Sequence, residues 1–199
     1  IRPIAIGESW VRVLSGYVAR RESAGIAARC MSPLQFGVAF PGGSETVIHS
    51  CQLFSKLAQH PSTPEALGIQ QIDFSNAFNI ISRRAILAQL EVHARSLLPY
   101  FRWSYGEASP LFLSSGEFVG TCERGVRQGD PLGPLFFCLG LHPVLTQLAL
   151  EFPSYQVVAY MDDVSLLGPV EGMQEVFEKL AELAYQQCDL RINTKKSIR

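Results

Sequence analysis

The chain has 199 residues, of which 47% are hydrophobic, 18% charged and 10% aromatic, and its formal charge is -1 at pH 7. That composition excludes a disordered tail and a disulfide-stapled miniprotein and is sufficient for a sizeable hydrophobic core. The near-balance of 17 Lys+Arg against 18 Asp+Glu also excludes a whole-chain basic footprint, although residues 1–30, 83–102 and 186–199 are each locally basic.

In chain order, Trp10, Val13, Leu14, Tyr17 and Val18 fall at helical spacing. They predict an amphipathic helix with Arg12, Arg20 and Arg21 on its wetter side. A loop through 33–43 leads to Ser44, the expected N-cap of a second helix. Its apolar stripe is Val47, Ile48, Cys51, Phe54, Leu57 and Ala58, and Pro61 and Pro64 end it. Residues 68–74 read as a strand, and Ser82 opens a helix bearing Ile86, Leu90 and Leu97 that Pro99 stops. The runs 111–113 and 118–121 flank Ser114-Ser115-Gly116 and predict a β-hairpin. Residues 131–150 carry no formal charge over a length that spans a bilayer. Pro131, Gly133, Pro134, Gly140, His142, Pro143 and Gln147 interrupt that run, so it is expected to be a buried helix of a globular protein with no membrane partner. Two strands, 155–160 and 164–167, meet at Met161-Asp162-Asp163. The last helix carries Met173, Val176, Phe177, Leu180, Leu183 and Ala184 on one face, before a closing strand begins at 190–192. Helices and strands alternate without a strict βαβ period, which predicts an α+β fold with a mainly antiparallel sheet covered on one face.

The five cysteines (Cys30, Cys51, Cys122, Cys138, Cys188) are odd in number and lack any C-x-x-C pairing. They argue against zinc and for buried free thiols in an intracellular compartment, nucleus or cytoplasm, rather than a secreted setting. The four histidines share no ligand spacing. Ile1 stands where an initiator Met would, so the chain reads as a window within a longer one.

Three carboxylates interrupt apolar runs at strand ends: Asp73, Asp162 and Asp163. If the strands are neighbours, Asp73 and Asp162 face each other across a sheet edge, an arrangement that divalent cations stabilise. Taken alone, Asp162-Asp163 also reads as an ordinary solvated hairpin turn.

The company these aspartates keep decides between the two. Asp73-Phe74-Ser75-Asn76-Ala77-Phe78-Asn79, then residues 127–135, then Ala159-Tyr160-Met161-Asp162-Asp163, then Asn193-Thr194-Lys195-Lys196-Ser197 resemble the successive A, B, C and D motifs of reverse transcriptases, in the flavour of non-LTR, LINE-type elements. Upstream, Arg2-Pro3-Ile4 and Gln35-Phe36-Gly37-Val38 resemble that family's fingers motifs. The resemblance implies a right-hand polymerase fragment without its thumb. Residues 1–66 would belong to the fingers and 67–199 to the palm, whose antiparallel sheet packs against helices, with room for further fingers residues within 80–125. It implies an RNA-directed DNA polymerase that uses two Mg²⁺ ions (Mn²⁺ as substitute), an RNA or DNA template, a DNA primer and dNTPs. A decayed or domesticated remnant that binds nucleic acid without catalysis is the competing reading.

Nucleotidyl transfer needs one cation to activate the primer hydroxyl and another to hold the triphosphate, so two bridging carboxylates suit it. Asp73 and Asp162 are the bridging pair, Asp163 a supporting ligand, and the Phe74 carbonyl a further ligand that the family implies. The resemblance makes Phe78 a steric gate against a ribose 2′-hydroxyl, with a plain core phenylalanine as the alternative. Gly129 lets backbone approach a nucleotide or template strand closely and Gln128 offers a side-chain hydrogen bond there, with a purely structural turn as the alternative. The resemblance places Tyr160 and Met161 at the primer terminus, sets Arg2 on the triphosphate and makes Lys196 a proton donor to pyrophosphate, with Lys195 as its rival and ordinary surface charges as the alternative for both. Asp130, followed by Pro131, is expected to fix a turn instead of binding metal. The chain departs from the family pattern at Asn79, where many members are acidic, at Met161, where Ala is common, and at Gln187-Cys188, where a glycine often precedes the last strand.

Overall fold

The computed structural model describes residues 7–61, 65–195 and 197. Helix α1 (Ser9–Ile26) continues into a π-helical turn (Ala27–Met31), and α2 (Gly43–Ala58) leads to β1 (Leu67–Ile72). The short α3 (Ala77–Ile80), then α4 (Arg83–His93) and α5 (Leu98–Tyr105), precede a hairpin of β2 (Ser109–Phe112) and β3 (Phe118–Cys122). Helix α6 (Gly133–Glu151), β4 (Gln156–Tyr160), β5 (Asp163–Pro169) and α7 (Met173–Cys188) complete the order.

The α+β expectation holds. The main sheet has the order β1-β5-β4, antiparallel throughout, and β2 and β3 pair separately. The sheet is buried on both faces rather than on one, because successive side chains of β4 and β5 point to opposite sides and both sides find partners. Val157, Ala159, Val164 and Leu166 join the main core with α4, α6 and α7, while Val158 and Leu167 pack with Phe36, Ile69 and the Val47, Cys51 and Phe54 face of α2. Alternation alone reports one buried face. The near-continuous apolar character of 157–159 and 164–167 was the sign of two.

Helix α6 explains the uncharged run. It is long and apolar enough to cross a membrane, yet its side chains from Leu135 to Leu141 are buried among α4, α7 and the sheet. Cys138 and Cys188 lie in that core, and the Cys188 thiol, hydrogen-bonded to the Gly140 carbonyl at 3.1 Å, is pushed up to about 12 by burial first and Asp189 second. Cys30 is also buried, whereas Cys51 and Cys122 are only half-buried.

Three local expectations are corrected. Helix α1 forms where its periodicity places it, but its Trp10, Val13, Leu14 and Tyr17 stripe faces solvent. Ser15, Ser23 and Ile26 are the buried positions. Ser15 tolerates burial because its hydroxyl donates to the Val11 carbonyl at 2.7 Å. In α2 the cap is Gly42, in the left-handed conformation at φ 68°, and Ser44 lies inside the first turn with its hydroxyl on Glu45. Pro99 does not stop a helix. The first helix ends at His93, and Pro99 sits in the opening turn of α5, where its missing N–H leaves no bond unmade.

Candidate active site

The strand ends converge as the apolar runs suggested. In the ladder Ile72 opposes Val164 and Tyr160 opposes Asp163, so Asp73, one residue beyond β1, leaves the sheet beside Asp163, with Asp162 in the adjoining turn. Asp73 is positioned from its other side by the closing segment. The N–H of Asn193 donates to the Asp73 carbonyl at 2.8 Å, the Ser75 N–H donates to the Arg191 carbonyl at 2.8 Å, and the Asn193 amide reaches the Asp73 carboxylate at 3.4 Å. These bonds flank a bridge between Phe74 and Ile192, so the Phe74 backbone carbonyl turns away from that segment while its ring fills the core. The predicted closing strand is only this bridge. Asp189, at φ 58°, takes the left-handed helix-terminating position where a glycine was expected nearby.

Asp162 and Asp163 differ in surroundings. Asp163 is exposed at the start of β5, whereas Asp162 is half-buried and close enough to α6 to help burial push the Cys138 thiol upward. Asp162 also lines a cavity of about 280 Å³ together with Phe78, Arg127, Gln128, Gly129, Asp130 and Pro134. Side chains from three separate stretches of sequence thereby meet on one wall. Phe78 stacks on Phe137 of α6, with centroids 4.4 Å apart and planes 17° from parallel, and its carbonyl accepts from the Val126 N–H at 2.7 Å. Gly125 makes this docking possible, since a Cβ there would lie 2.2 Å from the Phe78 carbonyl oxygen.

Gly129 lies at φ 125°, a backbone conformation suited to glycine, and its neighbour Gln128 donates to the Asn79 side chain at 3.2 Å. The unusual amide at Asn79 therefore serves as an acceptor for Gln128. Gln128, Asn79 and Arg127 also line an adjoining cavity of about 290 Å³ beside β2 and β3. Asp130 fixes the turn: it accepts from the Leu132 N–H at 3.0 Å, the Tyr105 hydroxyl at 2.6 Å and the Tyr100 hydroxyl at 3.2 Å. Burial first, and Asp130 second, hold the Tyr105 phenol well above its ordinary range. Arg127 lies over the Tyr105 ring at 4.6 Å and donates to Ser104 and Ser109, which makes it a brace of the cavity wall.

Tyr160 and Met161 are half-buried at the hairpin, where Met161 holds φ 55°. Arg2 and Lys196 lie outside the described residues, and Lys195 is exposed. Among the described residues, no group of three or more His, Cys, Asp or Glu side chains is drawn together tightly enough to hold a metal ion. Three residues beside the site went unassigned in the sequence: Gln35, Asn193 and Phe137. Gln35 and Asn193 each had a local signal, their places in a fingers motif and in the last motif, whereas Phe137 had none.

The site is thus an antiparallel sheet with acidic strand ends, backed by an apolar helix and faced by a glycine-containing turn. Residues 1–198 match the family described as reverse transcriptase (RNA-dependent DNA polymerase), and the chain belongs to that family. It is 34% identical over 188 residues, 91% of the chain, to the retrotransposable element SLACS 132 kDa protein of Trypanosoma brucei gambiense. It is 29% identical over 147 residues, 66% of the chain, to a Pol polyprotein from the type-1 retrotransposable element R2 of Nasonia vitripennis. The chain spans 15% and 14% of those two relatives' lengths. Its fold is similar to part of telomerase from Candida albicans, solved in complex with a fragment of telomeric RNA (TM-score 0.68, 14% identity, 92% of this chain and 34% of that one). Telomerase from Candida tropicalis is similar (TM-score 0.67, 10% identity, 92% of this chain and 32% of that one).

Proposed function

We propose that this chain is the polymerising part of a non-LTR retrotransposon reverse transcriptase, with residues 1–66 serving as fingers and 67–199 as palm, and that it extends a DNA primer with dNTPs on an RNA or DNA template. The observation that carries the reading is the cavity shared by Phe78, Gln128, Gly129 and Asp162, four residues that the motif resemblance had assigned to substrate or metal.

Asp73, Asp162, Asp163 and the Phe74 carbonyl are hard oxygen donors at one end of one sheet, a set suited to Mg²⁺ or Mn²⁺. Two such ions, when bound, activate the primer hydroxyl and neutralise the triphosphate. The chain's own residues do the rest. Phe78, held flat against Phe137, presents a rigid edge that rejects a ribose 2′-hydroxyl. The backbone at Gly129 admits a nucleotide closely because no Cβ intervenes. Gln128, oriented by Asn79, supplies a side-chain hydrogen bond at the cavity wall. Met161 and Tyr160 support the primer end, and Arg2 and Lys196 are assigned to the triphosphate and to the departing pyrophosphate.

Primer extension by the purified protein on RNA and DNA templates tests this. Incorporation of dNTPs that requires Mg²⁺ or Mn²⁺ and falls to background in Asp162→Asn is the expected result. Phe78→Ala is expected to admit rNTPs. Template binding without extension by the wild-type protein would favour the non-catalytic remnant.

A further inference from the structure

We propose that Gln35, 126 residues away from the Met161–Asp162 turn, is the positioning residue that fixes that turn. Its role in catalysis rests on the polymerase reading above, but the clamp itself does not.

The segment around Gln35 pairs with the edge of β4: the Phe36 N–H donates to the Ala159 carbonyl and the Ala159 N–H to the Leu34 carbonyl, both at 2.8 Å. This parallel bridge carries the Gln35 side chain, only 1% exposed, to the end of the hairpin. There its amide engages Met161 on both sides. The oxygen accepts from the Met161 N–H at 2.7 Å and from the Gly37 N–H at 2.9 Å, and the nitrogen donates to the Met161 carbonyl at 3.0 Å. All three bonds require this orientation of the amide, since a flip would set donor against donors and acceptor against acceptor. Gly37 completes the clamp by proximity: a Cβ there would lie 2.5 Å from both the Met161 nitrogen and its Cγ.

Met161 needs this support. It stands at φ 55°, a left-handed conformation that is unfavourable for a residue with a side chain and persists where neighbours over-determine it. In a two-residue hairpin loop, the conformation of the first loop residue sets where the second points. Clamping Met161 therefore aims Asp162 at the cavity wall. A buried amide bonded to both sides of one backbone unit is a precise device for this, because its loss leaves both the N–H and the carbonyl of Met161 without these partners.

Two arms test the proposal. In amide hydrogen exchange on the purified protein, Gln35→Leu should accelerate exchange at Met161 while the β5 ladder amides keep their wild-type rates. Unchanged exchange at Met161 would overturn the clamp, whether or not the protein polymerises. In single-nucleotide extension, Gln35→Leu should lower kcat by about 10- to 100-fold, the range expected when a reacting group is misplaced by about 1 Å, with KM for the dNTP within about twofold. Gln35→Glu, which keeps both acceptor bonds and loses the donor to the Met161 carbonyl, should fall between wild type and Gln35→Leu, and serves as the working variant if Gln35→Leu does not fold. In a Met161→Gly background, where φ 55° carries no side-chain penalty, the kcat loss on removing Gln35 should shrink; an undiminished loss, or a kcat within twofold of wild type in Gln35→Leu, would overturn the positioning role. A wild-type protein that fails to extend primers overturns the polymerase reading instead and leaves the exchange arm to decide the clamp.

Discussion

Two hairpins in this molecule place a left-handed residue in a tight turn, and they do so by opposite means. In the β2–β3 hairpin the positive φ falls on Gly116, at 87°, with nothing within 4 Å of where its Cβ would be. Its neighbours Phe112, Leu113, Phe118 and Val119 are all more than half exposed. In the β4–β5 hairpin the positive φ falls on Met161, and a buried amide and a glycine from another part of the chain press against it. A turn that only reverses the chain is satisfied by glycine's own freedom. A turn that must aim a carboxylate uses a residue that would not adopt that shape unaided, and fixes it from outside.

The contrast can be broken most severely at Gly37. Gly37→Ala drives a Cβ into the Met161 backbone, so a loss of about 1–3 kcal/mol in urea unfolding is expected, together with loss of primer extension. A stability change under about 0.5 kcal/mol would show that the turn moves aside freely, as surface sites do. Next in size is metal. If the acidic strand ends bind Mg²⁺, a concentration ten times Kd should add about 1.4 kcal/mol and raise Tm by about 3–6 °C. Thermal scans of Asp73→Asn should lack that shift, while Gly116→Ala should retain it in full. The same Gly116→Ala substitution should cost only about 1 kcal/mol, wholly from the φ penalty, with extension rates unchanged. The smallest effect is expected from Phe112→Ser. It gives up one edge-to-face partner of Phe118, 5.8 Å away, and should cost about 0.5–1 kcal/mol by calorimetry.

Legibility in the sequence followed the range of the physics. Many local patterns, whose partners are close in the chain, formed as expected: the two hairpins, the α7 stripe and the Asp130-Pro131 turn, though not the Ser44 cap. The meeting of Phe78, Gln128, Gly129 and Asp162 was legible only as a motif order, because nothing in periodicity says that residues fifty apart share a wall. Helix α1 shows the limit most plainly. Its spacing reports that one side is apolar, but the packed side is the one with Ser15 and Ser23, small residues that allow close approach, Ser15 with its hydroxyl bonded to its own helix. Pro99 was misread for a related reason: a proline marks a helix boundary without saying which side of it the helix lies on. Gln35 stands in a segment that resembles a fingers motif, but nothing there points to the Met161 turn. A glutamine between a leucine and a phenylalanine has no periodic identity, and its three hydrogen bonds become visible only with the fold.

Helix α6 carries a consequence for how the chain is made. Its apolar side chains find cover from α4, which precedes it, and from α7, which begins at Met173, beyond the whole β4–β5 hairpin. During synthesis the segment Gly133–Glu151 therefore leaves the ribosome before half of its shelter exists. A nascent chain stalled or cut short before Cys188 would present that greasy surface to chaperones and to membranes alike. A chain that ends before α7 therefore leaves part of the apolar surface of α6 uncovered.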